Sequence, residues 1–315
     1  MLSSVFTVSL AQSAIELGCI YGLVALALFV SFSLLNIADL STDGCFTLGC
    51  AVCAIVTLNG HPILGLFAAM AAGIASGYVT AFLQTRLGIQ SILAGIIVNT
   101  GLYTINIAVM GFASNVNLFA SDTVFKKAEA LFDSNWTDLF VILVIVVIVA
   151  LVLAWFLGTR LGLSIRATGD NPFMIRASSV SPVFTITVGL CVANAMTGLS
   201  GGLLAQYQKS CDINIGTGQV TIARASLIIG ETLVGRGKVM KRIFGVILGS
   251  CLYRFIVAIA LRFNVPAECL KLVSSVIVAV AIALPYLKQQ AAFMKTKRAA
   301  LRKRKQGGGI HAGID

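Results

Sequence analysis

Residues 140–157 read Phe-Val-Ile-Leu-Val-Ile-Val-Val-Ile-Val-Ala-Leu-Val-Leu-Ala-Trp-Phe-Leu, and none of them is charged. A helix of about 20 apolar residues matches the hydrocarbon thickness of a bilayer. The run also lacks the alternation of polar and apolar side chains that is typical of an outer-membrane barrel strand. This stretch therefore predicts a transmembrane helix.

The composition extends this interpretation to the whole chain. Of its 315 residues, 58% are hydrophobic and 11% are charged, and the mean hydropathy is +0.95. Soluble domains are only roughly 45–50% apolar. We therefore predict an all-α, polytopic integral membrane protein, a helical bundle with about eight to ten transmembrane helices. Eight spans are predicted over residues 11–35, 43–59, 62–85, 89–112, 137–157, 183–206, 243–262 and 268–287.

A ninth apolar segment, residues 221–235, is shorter and contains Arg224 and Glu231. It is predicted to be a half-helix or a re-entrant piece that is buried in protein. The loop 159–181 has three arginines against one aspartate, whereas the loop 113–136 has three acidic residues against two lysines. The positive-inside rule places the first loop in the cytoplasm and the second outside. Nine crossings with an external N-terminus satisfy both placements.

The chain ends in a basic tail. Eight Lys and Arg residues and no acidic residue lie between Lys288 and Lys305, and residues 236–242 form a second basic connection. Both segments are predicted to face the cytoplasm. We expect a transmembrane domain over residues 1–287 and a cytoplasmic tail over residues 288–315. Membrane orientation and contact with lipid headgroups explain the net charge of +11, so no nucleic-acid partner is predicted.

The segment that follows the apolar run interrupts it with polar and basic residues. Residues 158–181 read Gly-Thr-Arg-Leu-Gly-Leu-Ser-Ile-Arg-Ala-Thr-Gly-Asp-Asn-Pro-Phe-Met-Ile-Arg-Ala-Ser-Ser-Val-Ser. We interpret it as a long loop that docks a partner. The Asp-Asn pair with Pro172 after it predicts a short amphipathic helix over about Pro172–Ala177. Phe173, Met174 and Ile175 would supply its apolar contacts, and Arg166 and Arg176 its polar ones.

No catalytic residue and no metal site are predicted. The two histidines, His61 and His311, are far apart in the sequence, and the near match to a phosphate-binding loop at 230–237 lacks its lysine and its hydroxyl. Cys45, Cys50 and Cys53 have the spacing of a plant-type iron–sulfur site. They lie in an apolar run without a nearby fourth cysteine, so they are interpreted as small packing residues.

Ionisable groups inside the spans are costly and often functional. Asp39 and Asp43 lie in a polar break between two predicted helices, where they either cap the helix that starts near Asp43 or lie beside a translocation path. Arg254 requires a carboxylate partner, for which Glu231 and Glu16 are both candidates.

Polar amides within or next to the spans are a second group of interest. Asn99 and Asn194 are predicted to form hydrogen bonds between helices. The residues that we consider candidates for the translocation path are Asn36, Asp39, Asp43, Asn99 and Asn194. The glycine pairs Gly73/Gly77 and Gly245/Gly249 predict close contacts between helices.

Three stretches resemble the permease subunits of bacterial ABC importers in the branched-chain amino acid and ribose superfamily. They are residues 34–51, residues 162–177, and residues 228–235 followed by 245–249, and the resemblance covers roughly residues 10–287. It implies that the second stretch carries the coupling helix that docks on the ATPase. The coupling residues that it implies are Arg166, Thr168, Gly169, Asp170, Asn171, Pro172, Phe173, Met174 and Arg176.

The resemblance also implies the partners. They are a separate ABC ATPase that carries ATP and Mg²⁺, an external substrate-binding lipoprotein and a second copy of this chain, in the bacterial cytoplasmic membrane. No cofactor is expected on this chain. In residues 36–39 and 166–172, the sequence looks most like that of permeases for aromatic amino acids such as tryptophan or tyrosine. A sugar or nucleoside permease of the same superfamily remains an alternative, as does an ion-coupled secondary transporter.

Overall fold

The computed structural model describes residues 8–130, 136–235 and 237–262, together with a few single residues between 272 and 294. Apart from those few, the predicted span 268–287 and the tail 288–315 lie outside the described residues. The helices are α1 (Val8–Leu28, continued by a π-helical turn, Phe29–Leu34), α2 (Thr42–Leu58), α3 (Pro62–Thr85), α4 (Ser91–Val109), α5 (Val124–Glu129), α6 (Thr137–Gly158), α7 (Arg160–Asp170), α8 (Pro172–Ala177), α9 (Pro182–Gln208), α10 (Gln219–Val234) and α11 (Val239–Arg262). A short antiparallel ribbon pairs β1 (Asn115–Asn117) with β2 (Ser210–Asp212).

The predicted fold class is confirmed. Within the described residues, six helices are long and apolar enough to cross a membrane, namely α1 with its π-helical turn, α3, α4, α6, α9 and α11. The helix α2 is apolar but shorter, at 17 residues. The apolar run of residues 140–157 forms most of α6, and its large side chains are largely exposed, as in Leu151, Val152 and Trp155. Such an apolar exterior fits a helix that faces lipid.

The helix α9 lies at the centre of the bundle. It contacts α1, α2 and α3, and α3 runs antiparallel to it. A methyl group on Gly73 would lie 2.2 Å from the carbonyl oxygen of Asn194, and one on Gly77 would lie 2.6 Å from that of Leu190. On the other side of the bundle, a methyl group on Gly249 would lie 2.3 Å from the carbonyl oxygen of Ser226. The predicted close contacts at both glycine pairs are therefore present.

The two ends of the bundle differ in structure. The β1–β2 ribbon lies at the end where α9 finishes, and we call this the ribbon end. At the opposite end, α7 and α8 join α6 to α9, and the π-helical turn of α1 packs against α7. We call this the α7 end. Several basic residues lie there, including Arg86, Arg160 and Arg176.

Two helices begin inside the bundle rather than at one of its ends. Residue Cys45 of α2 contacts the carbonyl oxygen of Asn194, and Asn194 lies about 18 Å along α9 from its first residue at ~1.5 Å per residue. From there α2 runs toward the ribbon end. The helix α10 begins beside Asp43 of α2 and runs the opposite way, toward the α7 end. Segment 221–235 is therefore part of a half-helix, one of the two predicted alternatives.

Candidate functional site

The segment 158–181 is more helical than predicted. Residues 160–170 form the helix α7, so the prediction of a loop is wrong for this part of the segment. Thr159 caps α7, because its hydroxyl accepts a hydrogen bond from the backbone N–H of Gly162 at 3.3 Å. The glycines that suggested a loop lie on the packed face of α7, as in Gly162 and Gly169, and the polar Asp170 faces the solvent.

The helix α7 packs directly on the end of α1. A methyl group on Gly169 would lie 1.8 Å from the carbonyl oxygen of Leu34, so only glycine fits this contact. The next residue toward the N-terminus, Thr168, is buried, and its hydroxyl lies 2.8 Å from that of Thr185 in α9. Two of the predicted coupling residues therefore fix α7 to the bundle.

The short helix α8 confirms the prediction made for Pro172–Ala177. The side-chain oxygen of Asn171 accepts hydrogen bonds from the backbone N–H groups of Phe173 at 3.0 Å and Met174 at 3.2 Å. Pro172 occupies the first turn, where its missing N–H is no disadvantage. The Asn-Pro pair thus sets the start of the helix.

The apolar residues of α8 divide into two groups. Ile175 is 6% exposed and packs into the bundle, whereas Phe173 is 78% exposed and Met174 is 62% exposed. Of the three side chains that were predicted to contact a partner, Ile175 instead anchors α8 to its own chain. The charged coupling residues also remain accessible, since Asp170 and Arg176 are exposed and Arg166 is half-buried.

The chain beyond Leu34 leads from α7 to the interior. Asn36 adopts a left-handed conformation with φ of 56°, a conformation that asparagine tolerates better than most residues, and it is exposed. Three residues later, Asp39 is 3% exposed. A segment of only a few residues therefore connects the surface that packs against α7 with a buried carboxylate.

Asp39 joins the start of α2 to α9. Its carboxylate accepts hydrogen bonds from the backbone N–H of Ser41 at 2.8 Å, the hydroxyl of Ser41 at 2.6 Å and the side-chain amide of Asn194 at 2.9 Å. The hydroxyl of Thr80 in α3 donates to that of Ser41 at 3.2 Å. Asn194 thus bonds across the bundle, but its partner lies in the segment before α2 rather than in a second helix as predicted. The roles of Ser41 and Thr80 were missed, because isolated hydroxyls are common in apolar helices and their partners lie far away in the sequence.

Asp43 caps a helix, but not the predicted one. Its carboxylate accepts hydrogen bonds from the backbone N–H groups of Gly218 at 2.9 Å and Val220 at 2.8 Å, at the start of α10. It makes this contact from the first turn of α2, whose own N-cap residue, Ser41, makes no side-chain capping bond. Asn99 of α4 lies beside the neighbouring residue, Gly44. Four of the five path candidates therefore cluster around the start of α2, and Asn36 lies closer to α7.

An ion pair at the α7 end joins three helices. Arg242 of α11 pairs with Glu231 of α10, and it donates to the hydroxyl of Ser33 at 2.5 Å. The guanidinium also lies over the ring of Phe29, 4.7 Å from its centroid. Arg242 was interpreted only as part of a basic connection. The structure corrects this, since the residue is largely buried and bridges helices α1, α10 and α11.

The two carboxylates proposed for Arg254 are bound elsewhere. Glu231 pairs with Arg242, and Glu16 accepts hydrogen bonds from Tyr207 at 2.8 Å and Gln12 at 2.9 Å. The guanidinium of Arg254 instead lies over the ring of Tyr21, 3.5 Å from its centroid. The predicted pairing with either glutamate is therefore wrong.

The cysteine triplet lies within α2 and is fully buried. The thiol of Cys45 contacts the carbonyl oxygen of Asn194 at 3.4 Å, and that of Cys53 lies 3.9 Å from the hydroxyl of Thr57. Cys50 packs from α2 against the ribbon residues around Cys211. These contacts fit the interpretation that the triplet serves helix packing.

Comparison with known proteins identifies the family of this chain. The family model described as "Branched-chain amino acid transport system / permease component" matches residues 10–282. The chain belongs to this permease family. It is therefore a transport component of the ABC transporter class rather than an enzyme, and the resemblance seen in the sequence is confirmed.

Individual relatives of the permease carry more specific names. It is 32% identical over 260 residues to the tyrosine transport system permease protein of Clostridioides difficile, covering 82% of this chain and 85% of the relative. It is 27% identical over 230 residues to the ribose import permease protein RbsC of Escherichia coli, covering 69% of this chain and 67% of the relative. No solved structure matches the chain significantly.

Proposed function

We propose that this permease is the membrane subunit of an ABC importer for an amino acid, with an aromatic amino acid such as tyrosine or tryptophan as its cargo. The observation that carries the proposal is the exposed apolar pair Phe173 and Met174 on the capped helix α8. Two large apolar side chains side by side on a polar, basic surface are typical of a protein contact. The similarity to a tyrosine permease supports the choice of cargo.

The partner at α8 is the ABC ATPase, which supplies ATP and Mg²⁺. Phe173 and Met174 enter a cleft of the ATPase, and Asp170, Arg166 and Arg176 make polar contacts around them. Basic residues concentrate at this end of the bundle, which supports a cytoplasmic location by the positive-inside rule. The membrane is then the bacterial cytoplasmic membrane, with the ribbon end facing outward.

Movement of the ATPase reaches the interior through α7. Because α8 is anchored by Ile175 and α7 is fixed to Leu34 by Gly169, the two short helices transmit a displacement as one rigid body. Leu34 is followed by the segment that ends at Asp39 and its bond to Asn194. The start of α2 is therefore the element that ATP binding shifts between two positions.

The translocation path runs past the start of α2, between two copies of this chain. Asn36, Asp39, Asp43, Asn99 and Asn194 lie on or next to this path, where α2 and α10 are interrupted. Interrupted helices at mid-membrane depth are a common feature of substrate sites in transporters. An external lipoprotein delivers the cargo to the ribbon end.

Ribose or a similar sugar is the second candidate cargo, because the chain is also similar to a ribose permease. The two candidates differ in a measurable property, since an amino acid carries a carboxylate and a sugar does not.

The test is affinity purification of the tagged chain from its native membranes, followed by mass spectrometry of the bound proteins and of any ligand on a bound lipoprotein. We expect a stoichiometric ABC ATPase and a lipoprotein that carries an aromatic amino acid. A homo-oligomer without an ATPase would overturn the importer assignment. A sugar on the lipoprotein would replace the cargo and leave the importer assignment in place.

A further inference from the structure

Arg254 places a positive charge deep in the membrane-spanning part of the bundle. It lies about 22 Å along α11 from Val239 at ~1.5 Å per residue. At this depth a guanidinium is costly unless protein groups or a ligand compensate its charge. Some group must therefore compensate the charge of Arg254.

Within the described part of the chain, the compensation for Arg254 is incomplete. The guanidinium stacks on Tyr21, which in turn stacks on Phe46 with ring centroids 5.9 Å apart. Its Nε is buried and has no acceptor there, and no salt bridge joins Arg254 to a described carboxylate. A stacked guanidinium uses its flat face for the aromatic ring. Its N–H groups, which lie in the plane, stay available to an anion.

The starts of two helices lie near Arg254. The neighbouring Tyr253 packs on Ala225, which lies in the second turn of α10. Phe46, at the far side of the stack, belongs to the first turns of α2. Both helices begin near this level, and Asp43 meets the partial positive charge of both N-termini, because it lies in the first turn of α2 and caps α10. Asp43 is therefore engaged at the helix starts, and among the described residues it forms no salt bridge with Arg254.

We propose that Arg254 is a binding residue for the carboxylate of the transported amino acid. This rests on the proposed function and deepens it by naming a contact on the path. A guanidinium and a carboxylate form a planar pair with two parallel hydrogen bonds, and Tyr21 holds the guanidinium plane in place. A sugar has no group that would form this pair, so Arg254 favours an amino acid over ribose.

The test uses proteoliposomes that contain the complete transporter, namely the permease, its ATPase and its binding protein. ATP-dependent accumulation is measured by mass spectrometry from a mixture of the twenty amino acids and ribose. The variants are Arg254→Gln and Arg254→Lys. The matched control is Arg86→Gln, which removes an exposed arginine at the α7 end.

We expect Arg254→Gln to reduce amino-acid uptake about 10- to 100-fold, because a charge-assisted pair with the cargo is lost. Arg254→Lys should recover part of this loss, since it keeps the charge without the planar pair. Arg86→Gln should transport normally. Normal uptake by Arg254→Gln would overturn the proposal and leave the proposed function intact. If the wild-type transporter carries ribose and no amino acid, both the cargo assignment and this proposal fail.

A second measurement covers the case in which Arg254→Gln does not assemble. The wild-type permease in detergent is melted with L-tyrosine or with tyramine, which is the same molecule without its carboxylate. We expect L-tyrosine to raise the melting temperature and tyramine to leave it unchanged, because only a bound ligand stabilises the fold. Equal shifts with the two probes would overturn the proposal.

Discussion

The short helices α7 and α8 are consecutive in the chain and differ in how they contact the bundle. The helix α7 lies against the bundle through Gly169 and Thr168, where a backbone contact and a buried hydrogen bond fix its position. The helix α8 keeps one anchor, Ile175, and exposes Phe173 and Met174. The comparison indicates that one connection contains a helix attached to the bundle and a helix with an exposed apolar pair, which is the proposed docking surface. Substitutions in each helix should therefore have effects that can be separated.

The largest effect is expected from Gly169→Ala. The new methyl group would lie 1.8 Å from the carbonyl oxygen of Leu34, so α7 must move away from α1. Overpacking typically costs about 1–3 kcal/mol, and a clash with backbone belongs at the upper end of that range. We expect a clear drop in melting temperature, measured by fluorescence-detected size-exclusion chromatography. Gly158→Ala is the control, because no atom lies within 4 Å of that Cβ position. Equal melting temperatures would contradict the rigid attachment.

Removal of the exposed pair should act on binding and spare the fold. For the double variant Phe173→Ala/Met174→Ala we expect the affinity for the ATPase to fall by about 2 kcal/mol or more, or roughly 30-fold, as is usual for central apolar anchors. The melting temperature of the isolated permease should not change. The affinity is measured by surface plasmon resonance with the purified ATPase. Phe119→Ala, which removes a residue that is 70% exposed near the ribbon, is the control. Unchanged affinity of the double variant would refute docking on α8.

The cap of α8 should contribute less. Asn171→Ala removes the acceptor for the N–H groups of Phe173 and Met174, and loss of such a cap typically costs about 1 kcal/mol. Because α8 is short, it should fray, and the affinity for the ATPase should drop about fivefold. Asn171→Asp keeps an acceptor at this position and should bind normally. If the alanine variant bound as tightly as the aspartate variant, the cap would have no part in docking.

The smallest effect is expected from Thr168→Val. It removes the hydroxyl that lies 2.8 Å from Thr185 and keeps the branched shape of the side chain. The net loss should be about 0.5–1.5 kcal/mol of stability, visible as a small decrease in melting temperature. Thr185 keeps a hydrogen bond to the carbonyl oxygen of Pro182 at 3.0 Å in this variant. The double variant Thr168→Val/Thr185→Val should therefore lose less stability than the sum of the two single variants, because both remove the same bond between the hydroxyls. A double variant whose loss equals that sum would argue against this bond.

Much of the fold followed from local sequence. The apolar runs predicted α1, α2, α3, α4, α6, α9 and α11 within a few residues, because length and hydrophobicity are the main requirements for crossing a bilayer. The start of α8 was predictable for a different local reason. Asn171 accepts hydrogen bonds from the free N–H groups of the first turn, and Pro172 has no N–H that needs a partner, so no distant residue is required. Helix α7 was missed because its glycines read as loop formers when their packing partners are unknown.

The interior site was predictable only in part. The sequence pointed to Asp39, Asp43 and Asn194, because polar groups in apolar spans require an explanation. Their partners did not follow from it. Asp43 reaches the start of α10 across 175 residues of chain. Partners that are distant in the sequence were also wrongly predicted for Arg254. A carboxylate is the usual partner of a buried arginine, and nothing in the sequence marks Tyr21 as the ring on which it stacks.

The sequence alone thus determined a helical membrane bundle with a capped short helix between α6 and α9, and its resemblance to known permeases indicated the family. The bundle and the short helix depend on hydrophobic length and local capping, which act between near neighbours in the chain. Only the tertiary structure decided that Gly169 meets Leu34, that Asp43 caps α10 and that Arg254 stacks on Tyr21. Those contacts join residues that are distant in sequence, and they are set by how the helices pack rather than by any local preference.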